Sequence, residues 1–260
     1  VTSHNARSHA LDGRGIVITR PLEQGRTLAA LIEREGGRAV AFPVIEILDV
    51  ADASKLNALI DRLDAFDAAI FISPNAVAKA MQAISARRTL PKELRVAAIG
   101  AASARELNRR GVEQVIVPKA RYDSEALLDL PDFENVAGKR IVIFRGDGGR
   151  PVLGDTLKAR GALVEYAECY RRVKATSDVA PLLEAWGRGE IDGVIATSSE
   201  GLRNLHAMLG DAGRDALAAT PLFVPHPRIA QTARELGLTR VVATASGDEG
   251  IAHAITQHFA

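Results

Sequence analysis

The feature that most constrains this 260-residue chain is that it repeats itself at a nearly constant offset. Ile16-Val17-Ile18-x-Arg20 returns as Ile141-Val142-Ile143-x-Arg145, 125 residues on. Gly36 returns as Gly161, and Asp67-x-x-Ile70 followed by Ser73 returns as Asp192-x-x-Ile195 followed by Ser198, at the same offset. Arg-Glu-Leu at 105–107 and Gly111 meet Arg-Glu-Leu at 234–236 and Gly237; the glycines lie 126 apart and the triplets 129, a small slip at one helix end. Any strand–helix chain is somewhat self-similar, but three blocks in one order at one offset point to a duplicated unit. Two similar domains facing a shared cleft are therefore expected, and such clefts are preferred places for ligands.

What repeats is an alternation of short β-branched runs with amphipathic stretches. Gly15–Thr19 reads as a buried strand, and Leu22–Glu35 as a helix with Leu28, Leu31 and Ile32 on one face, stopped at Gly36-Gly37. Further strands are expected at 68–72, 96–99, 115–117, 141–144, 194–196, 222–224 and 241–243. Strands separated by 10–15-residue helices mean βαβ units and parallel sheets covered on both faces. Composition narrows the class further. With 33 Lys plus Arg against 32 Asp plus Glu, the chain lacks the basic excess of a dedicated nucleic-acid binder. A lone cysteine, Cys169, excludes an internal disulfide. No run of 18 apolar residues is present, so no membrane span is expected, and residues 1–12 read as a loose polar tail of a cytoplasmic protein.

Open α/β sheets bind ligands beyond the carboxyl ends of their strands. The loops there read Thr19-Arg20-Pro21, Ser73-Pro74-Asn75, Gly100-Ala101-Ala102-Ser103, Arg145-Gly146-Asp147, Thr197-Ser198-Ser199 and His226-Pro227-Arg228, each opening a helix. Each taken alone is an ordinary cap. Six together, three per repeat, point to a polyanion held by helix amino termini. Neither G-x-G-x-x-G nor a P-loop occurs, because Pro151 takes the third glycine position after Gly146 and Gly148. The six histidines are scattered, so no metal site is expected. Cys169 reads as packed and Trp186 as core. Tyr170, in Glu168-Cys169-Tyr170-Arg171-Arg172, reads equally as a hydrogen-bonding acid or an aromatic plug.

Taken together, these motifs resemble the uroporphyrinogen-III synthase family. The carrying residues are Thr19-Arg20-Pro21, Phe42-Pro43-Val44-Ile45, Phe71-Ile72-Ser73-Pro74-Asn75-Ala76-Val77, Ala98-Ile99-Gly100, Ser124-Glu125-Ala126-Leu127, Phe144-Arg145-Gly146 and Cys169-Tyr170-Arg171-Arg172. They run in family order from Gly15 to about Ile255. The resemblance implies an α/β fold of two similar doubly wound parallel-sheet domains, one discontinuous, joined by a two-stranded β connector with the ligand cleft between them. The repeat alone suggests two contiguous halves cut near Ala137. The family pattern instead gives residues 1–43 with 174–260 as one domain and 44–173, including both connector strands, as the other. It implies a cofactor-independent lyase that cyclises hydroxymethylbilane, a linear tetrapyrrole with eight carboxylates, by loss of water and inversion of the terminal ring, in porphyrin and haem biosynthesis. A cytoplasmic monomer without nucleic-acid or membrane partners is expected. Tyr170 would assist departure of the hydroxyl. Arg20, Ser73, Asn75, Ala102, Ser103, Arg145, Gly146, Thr197, Ser198, Ser199 and His226 would hold substrate. Where other members often carry glycine and hydroxyl residues, this chain has Pro225-His226-Pro227-Arg228, so His226 or backbone amides would take that contact. A non-catalytic two-lobed receptor for a carboxylate-rich ligand is the alternative; it would leave spontaneous, uninverted closure unchanged.

Overall fold

The computed structural model describes residues 10–119, 121–148 and 151–260. In chain order its elements are β1 (Gly15–Ile18), α1 (Leu22–Arg34), β2 (Arg38–Ala41), β3 (Ile45–Leu48), α2 (Ser54–Asp61), β4 (Ala68–Phe71), α3 (Pro74–Ser85), β5 (Arg95–Ala98), α4 (Ala101–Arg109), β6 (Val115–Ile116), α5 (Ser124–Leu128), β7 (Arg140–Gly146), α6 (Val152–Ala159), β8 (Leu163–Lys174), α7 (Ala180–Gly187), β9 (Gly193–Ile195), α8 (Ser199–Ala219), β10 (Leu222–Val224), α9 (Pro227–Glu235), β11 (Val241–Ala243) and α10 (Asp248–Phe259). They form two compact units. One gathers the chain up to Glu46 and from Val173 to Ala260; the other is continuous, Ile47–Arg172. The chain thus passes between units twice, within β3 and at the end of β8.

The first unit is a five-stranded parallel sheet in the order β11-β10-β9-β1-β2. The second is a six-stranded sheet in the order β3-β8-β7-β4-β5-β6, parallel from β8 to β6. Without β3, the second order read backwards is β6-β5-β4-β7-β8. Strand for strand, that is the first order shifted by the sequence repeat, with β7 standing for β1 and β4 for β9. Each sheet therefore takes two strands from one half of the repeat and three from the other.

The repeated residues do the same work in both units. Asp67 accepts the Arg140 backbone N–H (2.8 Å) and a bond from Lys139 Nζ (2.9 Å). Asp192 accepts the Gly15 N–H (2.9 Å) and a bond from Arg14 Nη1 (2.6 Å). Each aspartate thereby fastens the start of its neighbouring strand. The four repeated glycines end α1, α4, α6 and α9 at φ between +86° and +87° for three and +78° for Gly237. There the left-handed backbone that glycine alone adopts freely brings the next residue's N–H back onto the helix, as in Gly37 N–H to Ile32 O (3.0 Å) and Ala162 N–H to Leu157 O (3.0 Å).

Alternation along the parallel strands covers both faces of the second sheet. Ala69, Phe71, Val142, Phe144 and Ala167 pack with α2, α3 and α4, where Phe71 and Phe144 stack at 4.7 Å. Ala68, Ile70, Ile141 and Ile143 pack with Leu127, Leu128, Leu153 and Leu157 of α5 and α6. In the first unit, Ile16 and Ile18 meet Leu28, Leu31 and Ile32 of α1 and Ile251 and Ile255 of α10. Helix α8 is broken at Gly210, whose φ is +59°. The loose tail expected up to Asp12 ends earlier. Leu11 is fully buried in this core and its N–H bonds Glu35 O (3.1 Å), because an apolar residue four positions before the start of the first strand fills the space over Gly37. The remainder of that segment, residues 1–9, lies outside the described residues.

Candidate functional site

In the first unit the singled-out residues gather at the carboxyl ends of β1, β9 and β10. Thr19 Oγ donates to Ile195 O (2.7 Å), tying the end of β1 to β9. Next to it, Arg20 Nε donates to Thr197 Oγ (3.1 Å) and Arg20 Nη1 to Asp248 Oδ1 (2.5 Å), in an ion pair whose side chains are 17% and 23% exposed. Asp248 opens α10, where the helix dipole also favours its charge. Ser198 caps α8, accepting the Gly201 N–H (2.9 Å). Ser199 Oγ accepts from the buried Thr232 hydroxyl (3.0 Å), which ties the starts of α8 and α9 together. His226 caps α9: its Nδ1 accepts the Arg228 N–H (3.1 Å), so the neutral ring carries its proton on Nε2.

In the second unit the equivalent cap is Ser73, which accepts the Ala76 N–H at 3.1 Å. Its hydroxyl also lies 3.1 Å from the Tyr170 hydroxyl. Tyr170 is only 4% exposed, and burial pushes its phenol above the usual value, opposed in part by the Ser73 hydrogen bond. The group is therefore a protonated donor at neutral pH. A register shift in β8 aims it. Arg145 pairs with Glu168, but Gly146 pairs with Tyr170, leaving Cys169 as the extra residue of a bulge. Tyr166, four residues earlier, packs on the α5–α6 face; the bulge turns Tyr170 to the α3 face and so to Ser73. Gly146 makes room for it, since a Cβ there would stand 2.6 Å from Tyr170 Cε2. Cys169 is buried, its Sγ donating to Arg145 O (3.2 Å), and burial pushes its thiol up to about 12.

Arg145 takes the opposite face from Tyr170. It lines a cavity of about 250 Å³ together with Ile72, Ile99, Tyr122, Gly154 and Tyr166. Its guanidinium carbon stands 4.9 Å over the Tyr166 ring. Asn75 and Ala102 lie in the first turns of α3 and α4; Ala102 is exposed and offers backbone alone, and Ser103 beside it is buried. The structure thus brings Arg20 to Thr197, Ser199 to the start of α9, and Ser73 and Gly146 to Tyr170, and sets Arg145 apart. Sequence reasoning overlooked Asp248, Thr232, Tyr166 and Gly154. An acidic residue directly after Gly247 was the available signal for Asp248; nothing short of the β8 bulge separates the roles of Tyr166 and Tyr170. Among the described residues, no cluster of three His, Cys, Asp or Glu could hold a metal ion, and no helix is long and apolar enough to cross a membrane.

The fold and these side chains define a class: a two-unit parallel α/β protein whose strand ends present hydroxyls, guanidinium groups and helix amino termini, the chemistry that grips carboxylates. The comparisons narrow it. A family model described as uroporphyrinogen-III synthase HemD matches residues 26–252. The uroporphyrinogen-III synthase of Escherichia coli strain K12 is 37% identical over 227 residues, covering 85% of this chain and 91% of its own. The putative uroporphyrinogen-III synthase of Methanothermobacter thermautotrophicus is 32% identical, covering 77% and 79%. The crystal structure of a mutant uroporphyrinogen III synthase from Thermus thermophilus superposes with a TM-score of 0.61 at 22% identity, over 94% of this chain and 99% of that one. The chain belongs to the uroporphyrinogen-III synthase family.

Proposed function

We propose that this chain is a lyase that closes hydroxymethylbilane to uroporphyrinogen III, and that Tyr170 assists the first step. The reading rests on one observation above all: a buried, protonated phenol held 3.1 Å from Ser73 Oγ at the carboxyl end of β4, in a chain of this family. In the proposed sequence, the pyrrole nitrogen pushes out the hydroxyl as the C–O bond breaks. A proton delivered to the departing oxygen makes water, and an electrophilic azafulvene remains. The terminal ring attacks through its substituted carbon to give a spiro intermediate. Fragmentation and recombination then close the macrocycle with that ring inverted, and a proton is lost. The Tyr170 hydroxyl supplies or steadies the proton for departing water; Ser73 holds it in place. An electron-rich pyrrole expels hydroxide readily, so the contribution is partial, in the range of about tenfold to a few hundredfold for one general acid.

Most of the remaining work is positional: the flexible bilane must be held so that the uninverted closure is excluded. Arg20, Thr197, Ser198, Ser199 and His226 on one unit, and Ser73, Asn75, Ala102, Ser103, Arg145 and Gly146 on the other, are the proposed carboxylate holders. Ala102 and Gly146 would act through backbone N–H groups. Arg20 would meet a substrate carboxylate only in competition with Asp248. The test is isomer analysis of the product formed from hydroxymethylbilane. Uroporphyrinogen III in excess of the spontaneous isomer I is expected; isomer I alone, at the rate of a protein-free blank, would refute the proposal.

A further inference from the structure

The guanidinium of Arg145 is in an unusual position for a buried cation. The residue is 9% exposed, and its Nε donates to Gly146 O at 3.2 Å. Among the described residues neither Nη atom has a hydrogen-bond partner and no carboxylate lies within ion-pair distance, and the Nη atoms are not themselves sealed off from solvent. A buried charge without a counter-charge is costly, and natural structures pair such groups. The partial compensation here is the face of Tyr166, 4.9 Å away. The one acid on the cavity wall among the described residues, Asp123, is committed elsewhere: it accepts the Ala126 N–H at 2.7 Å and pairs with Arg121 at 2.8 Å. A second cation, Lys158, stands 5.3 Å over the same Tyr166 ring. Two cations thus share the Tyr166 ring beside this cavity.

Two further donors border the same cavity. Helix α6 begins there, with Leu153 and Gly154 on the wall and, among the described residues, no side chain capping its first turn. The first N–H groups of such a helix have no partner within the helix. Gly154 is bare by necessity, because a Cβ on it would stand 1.9 Å from the Tyr166 hydroxyl. At the rim, Tyr122 is 55% exposed. The volume, about 250 Å³, falls below the roughly 300–1,000 Å³ of sites that enclose a whole small molecule, and suits one short acidic side chain.

We infer that the Arg145 cavity is a subsite for a single carboxylate-bearing side chain of the tetrapyrrole, bound by the Arg145 Nη donors and the start of α6, on the sheet face opposite Tyr170. This rests on the proposed function for the identity of the ligand. The anion chemistry of the cavity stands apart from it. The carboxylate has two sources, a substituent of the tetrapyrrole or a free small acid, and the subsite is assigned to the first.

The experiment compares wild type, Arg145→Met, Arg145→Lys and Gly154→Ala. Kinetics with hydroxymethylbilane should show Arg145→Met raising KM about tenfold to a hundredfold, the loss of one charge-assisted contact, with kcat within about threefold. Arg145→Lys should recover part of that loss, and Gly154→Ala should behave like Arg145→Met by driving Tyr166 into the cavity. A structural role for Arg145 is separated by the ligand-free melting temperature: removing an unanswered buried charge should leave Tm unchanged or raise it. Sodium acetate, measured against equal sodium chloride, should raise the Tm of wild type and not of Arg145→Met. A Tm several degrees lower in Arg145→Met together with no acetate response in wild type would overturn the anion site. An acetate response with KM unchanged would overturn its assignment to the tetrapyrrole. If wild type makes no uroporphyrinogen III, the functional reading fails, while the acetate titration still decides whether the cavity binds anions.

Discussion

Replacing Gly146 with alanine tests whether the position of one hydroxyl governs the reaction. Gly146 is not in left-handed backbone, so alanine brings no conformational penalty, only volume. The new Cβ would stand 2.6 Å from Tyr170 Cε2 and 2.7 Å from Cζ. Carbon atoms rest at about 3.5–4.0 Å, so the ring must retreat by about 1 Å. Core residues surround it, and overpacking of this kind costs about 1–3 kcal/mol of stability. The same retreat takes a 3.1 Å contact with Ser73 Oγ beyond hydrogen-bond reach. A misplacement of about 1 Å can cost about a hundredfold in rate, or about 2.7 kcal/mol of transition-state stabilisation. The assay is kcat/KM with hydroxymethylbilane and the ratio of isomer III to isomer I, on protein shown to be folded by its melting curve. Tyr170→Phe in the Gly146→Ala background should add little, because both changes act through one group. Full activity in Gly146→Ala, or multiplicative losses in the double variant, would refute the reasoning.

Tyr170→Phe alone should reduce kcat/KM by about tenfold to a few hundredfold, or about 1.4–3.5 kcal/mol, and no other single polar substitution among the proposed carboxylate holders should abolish activity in a folded protein; an inactive, folded Ser73→Ala would contradict this. Cys169, with its thiol pushed up to about 12, holds only about one thiolate in ten thousand at pH 8, so a thiol-reactive dye should leave it unmodified until the protein is unfolded. The Asp67 carboxyl is held below its usual range by the Arg140 backbone N–H and then by Lys139. Its contribution to stability is therefore present above the unfolded carboxylate value of about 3.9 and lost as pH falls through the lower folded value. Urea midpoints of wild type and Asp67→Asn should differ at pH 7 and converge in acid.

The strands were legible because a buried parallel strand needs a continuous apolar run, and Ile141–Phe144 or Leu222–Val224 can be little else. Helix stops were legible for a similar reason: Gly36, Gly111, Gly161 and Gly237 all take the positive φ that their repetition implied. Partner choice was not legible. With Ile16–Ile18 and Ile141–Ile143 carrying the same residues, nothing local says that β4 lies against the second and not the first. Side-chain direction in β8 failed for another reason. Tyr166 and Tyr170 share a face under strict alternation, and a one-residue bulge at Cys169 undoes that without a mark in composition. Arg20 was found as a strand-end cation, whereas its partner Asp248 lies 228 residues away and meets it only in the folded unit.

The exchange of strands between the two halves of the repeat has a consequence for the order in which the chain is made. When β4, β5 and β6 have been synthesised, β4 has its neighbour β5 but the strand of its other edge does not yet exist: Ile141, the partner of Ala68, follows about seventy residues later. At about 5–20 residues per second that delay is roughly 4–15 s, against microseconds for local pairing. During the wait, β1 is already present with the same Ile-Val-Ile surface; it has β2 on one edge, but β9, its partner on the other, is still further off, since Ile16 pairs with Gly193. The half-made chain therefore holds every piece of a five-stranded order, β6-β5-β4-β1-β2, that the finished protein does not use. Once β7 is complete, a sheet of that order would be a trap, which must open before both native sheets can form. A fragment ending near Ala137 should fold by itself into that unexchanged sheet, and refolding of the full chain should show a slow phase that disappears when Ile16 and Ile18 are changed to match β4 less well than β7 does.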